Sequence, residues 1–418
     1  MKIVTTILLP ILLFSQLHYS GKISPKYLLR ISDGTEISLP FRFAELQLGY
    51  SIGDFELKTN TALETRWKGM EGDLELREAY IQWYPQFGEV KVGKIIHTWG
   101  AADGNNPTDN INPYDFYYMF LPGVDRKIGV LSGSVKAYWN IFSLEGILIP
   151  EYEGNRLPFN EDDFPIQFTF EPDDYIETDR KYEYGARLQG AFNFGDISIS
   201  YFDGYDDLFS LQYLTPTGQL LNPFIPNFGY RKTNMIGLDF VTFIDDLTIR
   251  AESGYFNTSD DLTEMVSNVY MEVEASYIQY VLQLEYAGLS DINLGLQFLG
   301  TEVLDASGMA FGAGGTTDLT KNNFSPGMGT PLAMIAEKAI IVNGSTSLFD
   351  SRLDVEAMSL INLDEAGYLI GINVDYSPFE NWKFNLGVNK FIGDEDPENQ
   401  FNQMEDFSHV SLGLEFNF

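Results

Sequence analysis

Hydrophobic and polar positions alternate with a period of two along most of this chain. The final residues, HVSLGLEFNF, do so without an error: Val410, Leu412, Leu414, Phe416 and Phe418 are apolar, and the residues between them are polar or small. Successive strand side chains point to opposite faces, so the pattern predicts one apolar and one wet face. It recurs at 55–67, where Phe55, Leu57, Leu63 and Trp67 oppose Glu56, Lys58, Asn60, Glu64 and Arg66. It recurs again at 184–194, 247–256, 368–376 and 382–389. A soluble sandwich would alternate too, but chain ends are usually frayed and polar. A terminal strand this regular must be locked into a sheet.

The connections separate the two readings. Short ones at 51–54, 85–88, 195–196, 245–246, 288–291 and 377–381 are built from Gly, Asp, Asn, Ser and Pro, as hairpin turns require. Long ones fall at 98–127, 151–182, 206–229, 258–269 and 303–331. Short turns at one end and long loops at the other are the layout of a bacterial outer-membrane barrel, with the turns periplasmic and the loops extracellular. Strands are predicted at 26–33, 39–50, 54–67, 73–84, 88–97, 128–139, 141–150, 182–194, 196–205, 230–243, 247–257, 272–287, 291–302, 332–345, 351–362, 366–377, 381–392 and 407–418. The expectation is a single closed antiparallel all-β transmembrane barrel of about eighteen strands, with sixteen as the alternative if the weak first strand is dropped. Tyr50, Trp67, Trp83, Tyr84, Tyr138, Trp139, Tyr201, Tyr255, Tyr286, Tyr376 and Trp382 lie near strand ends, where a barrel carries its aromatic girdles.

One strand breaks phase. In LELREAYIQW, Leu74 and Leu76 share a face, whereas Ala79, Ile81 and Trp83 use the other. A bulge near Arg77–Glu78 repairs this and places Arg77 inside with Glu78 beside it. Lys91 is read as luminal, and Lys94 is left open because it shares parity with Val90 and Val92.

Composition narrows the picture. The chain has 418 residues, no cysteine and a net charge of −34, with 24 Tyr, 32 Phe and 38 Gly. The charge excludes nucleic-acid binding through a phosphate-neutralising surface. The absence of cysteine excludes disulfides and thiolate chemistry. MKIVTTILLPILLFSQLHYS reads as an export signal over residues 1–20, with cleavage after Ser15 or Ser20 both open and 21–418 as the barrel. No later apolar run is long enough for a membrane helix.

Enzyme chemistry finds little support. Only His97 and His409 follow the export signal, so a His-rich zinc site is excluded. A barrel lipase needs serine and histidine at the rim. His97 has inward parity and no evident serine partner. No cofactor is expected, although the oxygens of DGNNPTDNIN (103–112) could curl around a structural Ca2+ without matching an EF-hand.

The segments R-E-A-Y (77–80), V-G-K (92–94), W-G-A-A-D (99–103) and N-P-Y-D (112–115) resemble, in this order, the motifs of an uncharacterised porin-like outer-membrane barrel family of Gram-negative bacteria. The matching positions are Arg77, Glu78, Tyr80, Gly93, Lys94, Trp99, Gly100, Asp103, Asn112, Pro113 and Asp115, with lysine at 94 where arginine is commoner. GILIPEYEGNRLP, LTIRAESGYF and VDYSPFENWKFNLGVNKF also fit it. The resemblance implies a barrel and leaves the substrate unassigned. Phe418 resembles the aromatic end of the insertion signal that the barrel-assembly machinery reads.

These observations set the expectations for function. A barrel of this size leaves an aqueous channel for passive diffusion of small polar solutes or ions. Lumen candidates are Lys58, Glu64, Arg66, Arg77, Glu78, Lys91, Arg187, Arg250, Glu252 and Lys383. They form either a transverse field or an inert set of pairs. Loop 98–127 is the candidate constriction, with Trp99, Asp103, Asn112 and Asp115 lining it. The alternatives are a hydrophobic-solute channel and a non-conducting surface-binding barrel. The expected partners are outer-membrane lipids and small solutes, and a homotrimer stays open.

Overall fold

A computed structural model describes residues 17–69, 71–168, 170–219, 223–260, 268–312, 315–396 and 399–418. The export signal through its Ser15 site lies outside the described residues. The main sheet has nineteen hydrogen-bonded segments, of which Leu17–Ile23 and Lys26–Arg30 are two halves of one strand, β1. The barrel continues through β2 (Phe41–Ile52), β3 (Phe55–Thr65), β4 (Gly72–Trp83), β5 (Gly88–Ile95), β6 (Val130–Trp139), β7 (Phe142–Ile149), β8 (Glu183–Phe192) and β9 (Gly195–Tyr205). It is completed by β10 (Lys232–Ile244), β11 (Leu247–Ser259), β12 (Glu274–Leu289), β13 (Ile292–Ser307), β14 (Lys338–Leu348), β15 (Leu353–Asn362), β16 (Gly367–Phe379), β17 (Trp382–Gly393) and β18 (His409–Asn417). Every neighbouring pair is antiparallel, and β18 returns to β1, so the predicted eighteen-strand closed barrel is the fold.

The seam explains the regular C-terminus. Lys26↔Gly413 and Lys22↔Asn417 share one register across the break at Pro25, which has no N–H to donate. Gly21 and Phe418 exchange backbone hydrogen bonds of 3.0 Å in both directions. The Phe418 ring lies over Gly21, where a Cβ would come within 2.5 Å of it. The other edge of β1 pairs with β2, from Leu17↔Tyr50 to Ile23↔Ala44. This corrects the predicted first strand at 26–33. Leu17, Tyr19 and Ile23 do alternate with His18, Ser20 and Lys22, but an apparent export signal hid the first of them and Pro25 cut the run.

The outer wall is apolar and uncovered. Leu46, Leu57, Ile81, Val92, Leu131, Ile199, Leu238, Leu294, Ile370 and Leu386 are exposed there. At the short turns Phe87, Trp139, Phe194, Phe243, Phe349 and Phe379 form an exposed aromatic ring. A belt this large suits hydrocarbon rather than water, and closure removes every free sheet edge from it. The predicted bulge is present: Asn60 opposes Glu78 and Thr61 opposes Leu76, so Arg77 is the extra residue. Lys94 opposes Leu131 on the outer face, one residue from the extracellular end of β5. A lysine facing lipid costs about 2–4 kcal/mol at the midplane and about 0–1 near the interface, so only this end position is cheap.

Other differences are local. The extracellular connections 66–71 and 363–366 are short. The predicted strand 332–345 starts at Lys338, because Pro331–Met334 forms a 3-10 turn. Loop segments Ser210–Pro216, Phe224–Gly229 and Val269–Tyr270 make a small separate sheet.

Inside, the two halves of the barrel differ. In the extracellular half, loops 96–129 and 150–182, with parts of 319–337 and 399–408, bury Ile37, Tyr114, Phe116, Met119, Phe164, Ile335, Phe401 and Phe407 against the wall. An inward row, Phe202, Met235, Phe256 and Tyr277, crosses four adjacent strands in register and packs under them. In the periplasmic half Asn343, Glu356 and Asn373 have inward parity and stay exposed, so that half of the lumen is open to water.

Candidate functional site

The loop between β5 and β6 turns inward and crosses the lumen as a strap. Its take-off is held by the Ile96 N–H donating to Glu78 Oε1 at 3.0 Å. Asn112 is fully buried and ties both roots together. It accepts from the His97 N–H at 2.7 Å and donates to the Ile95 and Ile128 carbonyls at 2.9 and 2.7 Å. Lys127 Nζ donates to the His97 carbonyl at 2.9 Å and pairs with Asp109.

The far end docks on β11, β12 and β13. Glu252, only 3% exposed, accepts hydrogen bonds from the N–H groups of Ala101 and Ala102, from Asn106 Nδ2 and from Thr108 Oγ1. The Asp103 N–H donates to Gln283 Oε1 at 2.8 Å, and Asn105 Nδ2 donates to Gln297 Oε1 at 2.7 Å. Arg250 donates to the Ala101 carbonyl at 2.9 Å. Gly100 has φ +88°, and a Cβ on it would lie 2.7 Å from the Glu252 carboxylate, so this corner admits only glycine.

The near end docks on β2, β3 and β4. Arg42 donates to the Asp125 carbonyl at 2.6 Å and Arg77 to the Val124 carbonyl at 2.9 Å. Arg42 also stacks 3.9 Å over the Tyr118 ring. Glu64 accepts from Tyr118 Oη at 2.7 Å and bidentately from Arg156 of the next long loop. Arg156 reaches Asp115 at 3.0 Å. Burial, against the pull of Arg156, pushes the Asp115 carboxyl up to about 6. Loop 150–182 is pinned in turn by Arg66 to Glu161 at 3.0 Å and Arg30 to Asp163 at 2.6 Å. The Arg66 hydrogen bonds hold Glu161 below the ordinary carboxylate range.

All fourteen candidate residues lie in the lumen or on the strap, but their roles divide. Trp99 is buried and donates to Glu145 at 3.3 Å, Asp115 is buried in its ion pair, and Asp103 keeps 69% of its side chain exposed. Glu64, Arg66, Arg77, Glu78, Arg250 and Glu252 hold the inward loops. Lys58, Arg187 and Lys383 pair with Glu56, Asp239 and Asp375 at 3.2, 2.9 and 3.5 Å, and Lys91 sits 5.9 Å from the Tyr80 ring. Charges therefore neutralise one another locally rather than forming opposed rows. Sequence reasoning missed Arg42, Arg156, Gln283 and Gln297. The two glutamines had a signal, since they are polar positions of inward parity in otherwise apolar strands.

His97 does have a serine partner. Its Nε2 lies 2.9 Å from Ser132 Oγ, and both residues are buried. Burial, aided by the charges of Lys127 and Lys91, pushes the imidazole down to about 3, too acidic for a general base near neutral pH. Among the described residues, no three acidic or histidine side chains gather to hold a metal ion. Within 103–112, Asp109 is taken by Lys127 and Asn105 by Gln297.

The closed wall, the apolar belt and the inward strap define a transmembrane barrel of the porin fold. Solved structures similar to it include OccK2 (OpdF) of Pseudomonas aeruginosa in complex with glucuronate, at 10% identity and a TM-score of 0.54, covering 97% of this chain and 98% of that one. The outer membrane protein opdK of the same organism aligns at 8% identity and TM-score 0.52, over 97% and 99%. A BenF-like porin from Pseudomonas fluorescens Pf-5 aligns at 11% and 0.50, over 96% and 98%. No family model matches the sequence, and no curated protein matches it.

Proposed function

We propose that this protein is an outer-membrane channel for passive diffusion of small polar solutes or ions, with loop 98–127 as its constriction. One observation carries the reading: the strap is hydrogen-bonded to opposite walls, at Arg42 and Arg77 on one side and Glu252, Gln283 and Gln297 on the other. A solute passing the lumen must pass it. The OccK2 structure holds glucuronate, an anionic sugar acid. Here Arg187 and Arg250 are offset by Asp239 and Glu285, which favours neutral or cationic solutes. Of the residues that resemble the uncharacterised barrel family, Trp99, Gly100, Asp103, Asn112 and Asp115 lie on the strap, and Arg77 and Glu78 hold it. We assign no catalysis. We also assign the strand ending in Phe418 to recognition by the assembly machinery.

The apolar filling of the extracellular half favours, as second reading, a channel for hydrophobic solutes. Planar-bilayer recording of the refolded protein, with liposome swelling in sugars, decides between them. Salt conductance with sugar-driven swelling supports the first reading. A membrane-inserted protein that never conducts would overturn it.

A further inference from the structure

Below the strap, on its periplasmic side, lies a cavity of about 370 Å³. Its floor and walls carry inward residues of β11 to β14, including Thr248, Glu285, Asn293, Asn343 and Ser345, and its roof is Asp103 and Asn105 of the strap. Resting on the channel reading, we propose that it is a binding subsite for a monosaccharide-sized polyhydroxylated solute bearing one ammonium group.

Charge decides the sign. Arg250 pairs with Glu285 at 3.3 Å and stands farther from Asp103, at 3.8 Å. Two carboxylates share this one guanidinium, and Asp103 Oδ2 also accepts from Gln283 Nε2 at 3.2 Å, so one net negative charge remains at the cavity, with Asp103 its more exposed carboxylate. An ammonium group fits there, and a carboxylate on the solute would be repelled. The uncharged lining decides the rest. Leu294, Leu296 and Ile341 line part of the cavity, and the amides of Asn293 and Asn343 with the hydroxyls of Thr248 and Ser345 offer donors and acceptors to a polyol. Asn105 closes the roof, its buried side chain fixed by the hydrogen bond from Nδ2 to Gln297. The volume lies near the lower end of about 300–1,000 Å³ seen for ligand pockets, which suits one sugar ring.

The test compares glucosamine, glucose and glucuronate, sugars of one ring size that differ in charge. Occlusion of single-channel current and liposome swelling are measured at neutral pH. The expected order of occupancy is glucosamine, then glucose, then glucuronate. Asp103→Asn should cut the preference for glucosamine over glucose by roughly two- to fivefold, the size of one partly exposed charge interaction. Asn343→Leu, which fills the cavity from the wall away from the strap, should weaken occlusion by both. Equal behaviour of the three sugars, or an Asp103→Asn channel that discriminates as before, overturns the subsite while leaving the channel intact. Absence of conductance in simple salt overturns the channel, and the subsite with it.

Discussion

Glu252 on β11 accepts hydrogen bonds from the backbone N–H groups of Ala101 and Ala102, in the loop that is rooted on β5 and β6. A wall carboxylate thus fixes a segment 150 residues away in sequence. Glu252→Ala would leave two buried N–H groups unpartnered, each costing about 1–3 kcal/mol. The far end of the strap should then detach. Hydrogen exchange at 100–108 should accelerate and single-channel conductance should rise, with the barrel still resistant to unfolding in detergent.

Asp103 and Asp115 both looked like constriction charges from sequence. The structure separates them, because Asp103 is exposed and Asp115 is sealed in an ion pair with Arg156. Asp103→Asn should lower cation preference in reversal-potential measurements. Asp115→Asn should leave selectivity largely alone.

Acidification should free loop 150–182 before it unfolds the barrel. Glu161 and Asp163 both titrate below the ordinary carboxylate range, Glu161 through its hydrogen bonds from Arg66. At Asp163 burial acts upward, but the hydrogen bonds from the Ser38 N–H and Arg30 overcome it. Groups with depressed pKa stabilise the fold above the unfolded value, and that stability is lost as pH falls through the folded value. Asp115 has the opposite sign: its raised pKa adds stability at low pH that fades as pH rises toward about 6. Protease cleavage within 150–182, followed from pH 7 downward, should stay low until the carboxylate range is passed.

Leu17 to Ser20 are paired with β2, so cleavage after Ser20 would strip part of a strand. Cleavage after Ser15 keeps it whole. Intact mass measurement of the protein purified from outer membranes should give a chain beginning at Gln16. A chain beginning at Gly21 would contradict the pairing.

Most of the barrel was legible because one rule governs it: a residue facing lipid must be apolar and its neighbour need not be. That rule located the bulge to the neighbourhood of Arg77 and Glu78, and the pairing makes Arg77 the extra residue. It could not resolve the first strand, where Pro25 and a hydrophobic leader disguised the period. Nor could it reveal the strap's partners. Arg42 and Arg156 meet the strap through tertiary folding of two loops, and no period in sequence records such meetings. The residues of REAY, VGK, WGAAD and NPYD stood out as short words before their purpose was visible. Gly100 and Asn112 then proved to be corner and knot of a single device.

The wide separation of Glu252 from the loop it holds also orders events in time. When the strands up to β6 emerge, the strap has its roots but no far anchorage, since β11 to β13 are yet to arrive. Its seating must await the placement of β11 to β13, so locking the strap is a late step in building the cylinder.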